Sequence, residues 1–384
     1  MFLIVALTAG VRFILAYYVG VQVADLGGYH LYGRMVLHEG ISPYASMATL
    51  CPYPPFWLAV PVSTLWASEY FGVRFDLLMR CWSIAADALT AAVLWRWTGG
   101  DKLWVLAGWV FNPVSLMITG LQGNFMPVAV ACAATAAYLS DRKQNVASAL
   151  VLGVGIGLRS WPVLLIPFLV RKMKWRAIEH YVVCAAAPVV ISVGVYAIVA
   201  PDTFYSMIQQ VSTYRGVVDA SWIGIARAWW FLHTTMHQLP GIFEQYYTQK
   251  SANIFLVVAA MWGLFSWCRP QFLSTAGWCA SILLLDLLIV GGIGMQYLIW
   301  PLPFLVAYRA RKQMYYSLWA SLFIITFCLQ YFRPLLLGRL DPAMISPWTR
   351  VEMVGAMGIC LAMMYLSEIY VLGHILLKRS DEKK

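Results

Sequence analysis

Asp25 stands just past the first apolar run of the chain, Phe2 to Val23, and opens the segment VADLGGYHLYGRMVLHEGISPYASMATLCPYPP. A carboxylate at the end of a membrane helix is partly screened by protein and can still reach a substrate. That suits a general base taking a proton from an acceptor hydroxyl. The position equally suits a solvated loop Asp or a cap for the helix that follows. His30, Arg34 and His38 come next at helical spacing and can share one face. They read either as helpers of the base and ligands of a phosphate, or as polar groups at a membrane interface. Arg80, in RFDLLMRCW, and Arg159, in GLRSWP, are the arginines best placed for phosphate. A planar guanidinium offers several donors to one anion, so two of them at a membrane edge would hold a lipid phosphate. Snorkelling to headgroups is the competing reading. It fits Arg80 better than Arg159, which is wedged beside Trp161 and Pro162.

Other charges lie inside apolar runs. Arg12 and Asp87 each sit about ten residues into a run, near mid-bilayer at a rise of about 1.5 Å per residue. Unpaired charge is expensive there, so the two are expected to form a structural ion pair. Asp286 falls in the outer half of its helix, where it either hydrogen-bonds a neighbour or faces a polar cavity. Glu368 has no evident partner. The chain contains no P-loop, no H-E-x-x-H, no nucleophile elbow, and no D-x-D or E-x-D in an expected external segment. Its His and acidic residues are too scattered for a metal site, so no metal or other cofactor is expected.

The elements that must carry these groups are membrane helices. Of 384 residues, 61% are apolar and 11% charged, far below the roughly 25% charge of soluble domains. The net charge of +10 comes from short basic loops, a topology signal rather than a nucleic-acid surface. Backbone in lipid must satisfy its own hydrogen bonds, which makes helix the default. Runs of about 20 apolar residues give about twelve spans. The basic segments WRWTGGDK, DRKQN, RKMKWR, YRARK and KRSDEKK are cytosolic if Lys and Arg follow the positive-inside rule. Both termini are then cytosolic, and the alternation holds only if Pro55 to Phe71 does not cross. Its prolines and aromatics suit an interfacial helix. Residues 146–170 become two short helices meeting at an outer turn around Arg159. The external segments are 24–76, 120–127, the Arg159 turn, 201–252, 291–296 and 333–349. The eight Cys make no C-x-x-C pair. Most act as small hydrophobes in apolar runs, and a disulfide between Cys51 and Cys81 is compatible with their external placement.

The order of motifs resembles the GT-C superfamily of integral-membrane glycosyltransferases, which use polyprenyl-phosphate sugars on the luminal or external face. The first external loop is similar to theirs in Asp25, Tyr29 and Tyr32, the Gly40 to Tyr44 element and the Tyr53 to Pro55 element. Tyr-Pro-Pro in that family opens a juxtamembrane helix. LLMRCWSIAADALTAAVLW resembles the family's second span. NPVSLMITGLQGNFMPVAV resembles its Asn-Pro helix and the turn after it. GLRSWPVLLIPFLV resembles its broken helix, where Lys commonly stands at the place of Arg159. GMQYLIWPLPFL resembles a late motif in which His often stands where Gln296 does here. The match is good over roughly the first 170 residues and loose beyond.

The resemblance implies an all-α, polytopic, GT-C-like fold with external juxtamembrane helices after the first span. It implies residues 1–200 as a catalytic transmembrane module with first external loop 24–76, and 201–384 as a variable module with external loop 201–252. The implied reaction moves a hexose, mannose by analogy with bacterial polyprenol-phosphate-mannose-dependent and GPI mannosyltransferases, from a polyprenyl-phosphate donor to a hydroxyl of a lipid-linked or glycan acceptor. Configuration is inverted. Asp25 is the expected base, and Arg159, Arg80 and Gln296 the expected phosphate ligands. Tyr29, His30, Arg34, Tyr53, Gln122, Asn124 and Tyr297 are candidate substrate contacts. Tyr205, Tyr214, Trp222, Trp229 and Trp230 are either acceptor-side walls or interfacial aromatics. Expected partners are the lipid-linked donor, the acceptor and membrane lipids, but not nucleic acid; a partner subunit is compatible with the reading. The active site would face the periplasm or ER lumen. The rival readings are a lipid or solute transporter and a noncatalytic subunit of the same fold.

Overall fold

The structure is a computed structural model that describes residues 1–18, 24–45, 51–214, 221, 223, 241–246, 250–310, 312–336 and 347–377. Its described elements are helical, in keeping with the all-α expectation. Helix α1 spans Phe2–Tyr18, α2 Ala24–Leu37, α3 Pro55–Phe71 and α4 Phe75–Trp97. A bent pair follows, α5 Lys102–Val110 and α6 Pro113–Gln122, then α7 Met126–Asp141, α8 Asn145–Leu158 and α9 Trp161–Val170. Helices α10 (Trp175–Val199) and α11 (Phe204–Thr213) complete the N-terminal part. Further helices run over Ser251–Cys268, Thr275–Ile289, Met295–Ala307, Gln313–Leu336 and Pro347–Leu377.

Among the described residues, α4, α10, Ser251–Cys268 and Gly355–Leu377 are each long and apolar enough to cross a membrane alone. The pair α5–α6 does so together across a 49° bend. The bend has a local cause. Asn112 accepts a hydrogen bond from the Val114 amide at 3.1 Å and caps a helix that starts on Pro113. Proline at the first helical position has no N–H to continue the preceding helix. Arg12 reaches this break from α1 and donates to the carbonyls of Trp109 and Val110 at 3.2 and 3.1 Å, the Trp109 carbonyl also accepting from the Asn112 amide at 3.2 Å. The same guanidinium pairs with Asp87 of α4, as its depth predicts. Ser115 and Thr119 donate to the Asp87 carboxylate at 2.9 and 2.8 Å. Both charged side chains are 0% exposed.

The topology inferred from basic loops sorts the chain correctly into two ends. At one end Arg309 donates to the Thr98 carbonyl at 2.7 Å and lies 3.7 Å from Asp101. Trp97 donates to Asp141 at 3.0 Å, and Thr275 also donates to Asp141. WRWTGGDK, DRKQN and YRARK are thereby brought together, as expected of segments that share the cytosolic side. At the other end, α2, the turn after α6, the α8–α9 break and the Met295–Ala307 helix converge. Both ends of α3 lie at this second end: Tyr53 at its start meets Arg159, and Gly72, at φ +65°, turns its far end directly into α4. Helix α3 therefore runs along the bundle end and does not cross. It packs on α2 through Gly33, where a Cβ would stand 2.9 Å from the Pro61 carbonyl. Cys51 and Cys81 are free thiols rather than a disulfide. Cys51 is buried, with its amide held by Gln210 of α11 at 2.8 Å.

Removing one partner of a buried ion pair leaves the other uncompensated, at about 3–5 kcal/mol. Asp87→Leu should therefore lower the thermal midpoint in detergent sharply, and the double change Arg12→Met, Asp87→Leu should recover part of the loss.

Candidate functional site

Helix α2 sets the geometry. Its apolar residues Leu26, Tyr29 and Tyr32 fall on one buried face, and Asp25 in the first turn is carried to the edge of that face. Tyr29 and Tyr32 pack edge-on against Trp57, at 4.9 and 6.0 Å, and Tyr53 stacks on Trp57 at 4.1 Å. This aromatic block fixes the Tyr-Pro-Pro segment. The Tyr44 hydroxyl adds a 2.5 Å bond to the Tyr53 carbonyl. Arg159 lies over the Tyr53 ring, 4.1 Å from its centre, in a cation–π contact of about 0.5–2 kcal/mol.

Asp25 accepts a hydrogen bond from the Asn124 amide at 2.6 Å. Asn124 is itself pinned twice. Its side-chain oxygen accepts from the Met126 amide at 2.8 Å, and its carbonyl accepts from Ser83 at 2.7 Å. The turn that presents it depends on Gly123, at φ +66°, a conformation open mainly to glycine. A Cβ there would strike Arg80 at 2.7 Å. Arg80 is buried and donates to the carbonyls of Gly120 and Leu121, each at 2.8 Å. Arg80, expected as a phosphate ligand, here clamps the turn that holds Asn124. Gln122, the other candidate of that turn, donates to the Met295 sulfur at 3.0 Å and ties the turn to the late motif.

Burial raises the pKa of Asp25 above the usual carboxylate range, while the Arg159 charge and the Asn124 hydrogen bond pull it back. Burial likewise pushes the Tyr53 phenol up to about 12.

Arg159 also lines a cavity of about 440 Å³. The helix break makes this possible, because α8 ends at Leu158 and Arg159 takes extended backbone angles before Trp161 and Pro162 start the next turn. Arg159 is buried, yet its guanidinium donates no hydrogen bond to any described residue, and Nε has no partner. Tyr297, Trp300 and Trp161 form a stacked wall of the cavity, with centroids 4.5 and 4.6 Å apart. Pro52 and Pro54 line this cavity, whereas Pro55 and Phe56 line a second groove of about 690 Å³ against α10. The Tyr-Pro-Pro segment is the partition between the two.

The remaining candidates sit elsewhere. His30 and Arg34 do share a face of α2, but it is the exposed one. His30 packs edge-on at 5.1 Å from Phe75, and Arg34 pairs with Glu39 at 3.1 Å. The side that carries Leu26, Tyr29 and Tyr32 is the side turned to the protein, so neither residue reaches the site. His38 pairs with Glu69 at 2.7 Å. Gln296 is half-buried and does not line the Arg159 cavity; its neighbour Tyr297 does. Tyr205 is exposed and Tyr214 lines the cavity, while Trp222, Trp229 and Trp230 lie outside the described residues.

A family model described as Glycosyltransferase family 87 matches residues 52–291, more than half of the chain. The chain belongs to that family. The matched span holds Tyr53, Asn124 and Arg159 and begins after Asp25. Among solved structures, the glycosyltransferase is similar to ArnT from Cupriavidus metallidurans bound to undecaprenyl phosphate. The TM-score is 0.52 at 16% identity, covering 98% of this chain and 77% of that one. ArnT in the apo state matches with the same coverages at 14% identity and a TM-score of 0.45. None of the curated proteins matches the chain by sequence. The fold is similar to that of ArnT, in keeping with the all-α, polytopic architecture that the order of motifs implies.

A carboxyl whose pKa is raised on folding binds its proton more tightly in the folded state, so ionised Asp25 costs stability at neutral pH. Asp25→Asn should raise the thermal midpoint at about pH 7, with the gain shrinking as the pH falls through the ordinary carboxylate range.

Proposed function

We propose that the chain transfers a hexose, mannose by family resemblance, from a polyprenyl-phosphate carrier to a hydroxyl of a lipid-linked or glycan acceptor. The observation that carries this is Arg159, a buried cation with unused donors in a cavity at the bundle end, next to a carboxylate held by Asn124. A phosphate is the ligand that such a guanidinium suits best. ArnT, whose fold is similar, was crystallised with undecaprenyl phosphate, which supports a polyprenyl carrier here too.

The reaction is a single displacement. The acceptor hydroxyl gives its proton to the Asp25 carboxylate as its oxygen attacks the anomeric carbon. A new glycosidic bond forms on the face opposite the phosphate, and the bond from that carbon to the phosphate oxygen breaks, with inversion. The electron pair leaves on polyprenyl phosphate, whose charge rises by one. Arg159 meets that developing charge in a site with little water, where fixed charge acts most strongly. Protonation of the leaving group is unnecessary, because a phosphate leaves well without it. This differs from glycosidases, which need a second carboxyl to protonate a poor leaving group. The burial that raises the Asp25 pKa also makes it a stronger base.

By the positive-inside rule this end of the bundle would face the periplasm or lumen, with both termini in the cytosol. A donor lipid would then enter sideways from the bilayer. The groove beyond the Tyr-Pro-Pro partition lies against α10, whose spanning window is only 6% buried. That exposure to lipid favours an acyl chain of the acceptor as its occupant.

Purified protein supplied with radiolabelled polyprenyl-phosphate mannose or glucose and a lipid extract should yield a labelled product. Asp25→Asn should cut turnover by about 10²–10⁴-fold while polyprenyl-phosphate binding persists. Arg159→Ala should weaken that binding in a folded protein. Near-normal transfer by Asp25→Asn, or unchanged lipid affinity in Arg159→Ala, overturns the respective role. Movement of intact lipid across vesicles without transfer would identify a transporter instead.

A further inference from the structure

The cavity beside Arg159 has a second polar wall that the reaction above does not use. Asp286, 6% exposed, lines it from the helix Thr275–Ile289. Its carboxylate forms no hydrogen bond or ion pair with any described residue, Arg159 included. Only its backbone is engaged, the carbonyl accepting from the Val290 amide at 2.9 Å as the helix ends. Tyr246 adds a 2.9 Å bond to the Ile289 carbonyl and secures that end. The Asp286 carboxyl is therefore buried and without a partner among the described residues, and it lines the same cavity as Arg159.

A buried polar group without a partner is costly, and such costs concentrate where a ligand supplies the partner. The chemistry of the cavity says which ligand. An acid repels phosphate, and a polyprenyl chain offers no donor. A sugar offers several hydroxyls, and the stacked Tyr297–Trp300–Trp161 wall gives the apolar face of its ring a surface. We propose that Asp286 is a sugar-recognition residue, its carboxylate accepting hydrogen bonds from hydroxyls of the sugar while Arg159 holds the phosphate. The proposal rests on the glycosyltransferase reading and assigns the sugar subsite within it. The hydroxyls belong either to the donor sugar or to a sugar of the acceptor, and the test separates these.

Binding of polyprenyl-phosphate mannose and of bare polyprenyl phosphate is measured for the wild type and for Asp286→Asn and Asp286→Leu. Transfer from the donor is followed as the lipid extract is varied. The wild type should prefer the sugar-bearing lipid by about tenfold or more, as expected for hydrogen bonds to a charged group. Both variants should lose that preference, keep the affinity for bare polyprenyl phosphate, and unfold at a temperature no lower than wild type. Donor analogues lacking one hydroxyl should then weaken wild-type binding and leave the variants indifferent. If the variants keep the donor preference but need about tenfold more extract, the proposal stands with the acceptor as the source of the hydroxyls. Unchanged donor preference together with unchanged extract dependence overturns it. So does loss of bare polyprenyl-phosphate binding, or a lowered unfolding temperature with both lipids lost, since either marks a structural role. A wild type that binds neither lipid contradicts the glycosyltransferase reading instead.

Discussion

The fold is organised around one buried charge pair. Arg12 and Asp87 meet inside the bundle where α1, α4 and the α5–α6 bend come together. At the bend the carbonyls of Trp109 and Val110 face the apolar interior, and in lipid backbone groups need internal donors. Arg12 donates to both, Asp87 neutralises Arg12, and Ser115 and Thr119, both of α6, donate to the carboxylate. Arg12, Ser115 and Thr119 converge on one carboxylate oxygen of Asp87 and so tie the bend to α1 and α4. This matters for function because α6 ends at Gln122, directly before the turn that presents Asn124 to Asp25.

From that turn outward, the site is a chain of dependencies. Arg80 holds the carbonyls of the turn, and Gly123 leaves room for Arg80. Asn124 aims at Asp25 and is fixed by Ser83 and Met126. On the opposite flank the broken helix frees Arg159, and the aromatic block beneath Tyr53 keeps its guanidinium at the cavity wall. Asp25 and Arg159 are thus set by different elements, with the Tyr-Pro-Pro segment between them. The proposed displacement would use that separation, because the acceptor hydroxyl and the departing phosphate lie on opposite faces of the sugar.

Much of this was legible in the sequence. Lys and Arg distribution sorted the loops to two ends, and the pairs Arg309–Asp101 and Asn124–Asp25 show each end assembled as expected. The depth of Arg12 and Asp87 in their apolar runs foretold the ion pair, since lipid gives a lone charge no alternative. The site itself was less legible. Helical spacing put His30 and Arg34 on a common face, but only the Leu26–Tyr29–Tyr32 pattern tells which face is buried. Arg80 and Arg159 look alike in sequence. What distinguishes them is three-dimensional: carbonyls of a glycine turn surround one, and a tyrosine ring and open space border the other. Asn124 reads in sequence only as a candidate substrate contact, because nothing local shows that it lies against a residue 99 positions away. Asp286 stayed open between a neighbour and a cavity until the cavity was seen.

The account turns on Asp25 acting as a base whose ionisation Asn124 assists. The most direct measurement is the pH dependence of sugar transfer in the wild type and in Asn124→Ala. Transfer should fall as the pH drops through the Asp25 pKa. Loss of the hydrogen bond that favours the carboxylate should shift that acid limb to higher pH, with much of the rate recovered on the alkaline side. An acid limb that stays in place, with the rate lowered uniformly at every pH, would contradict it.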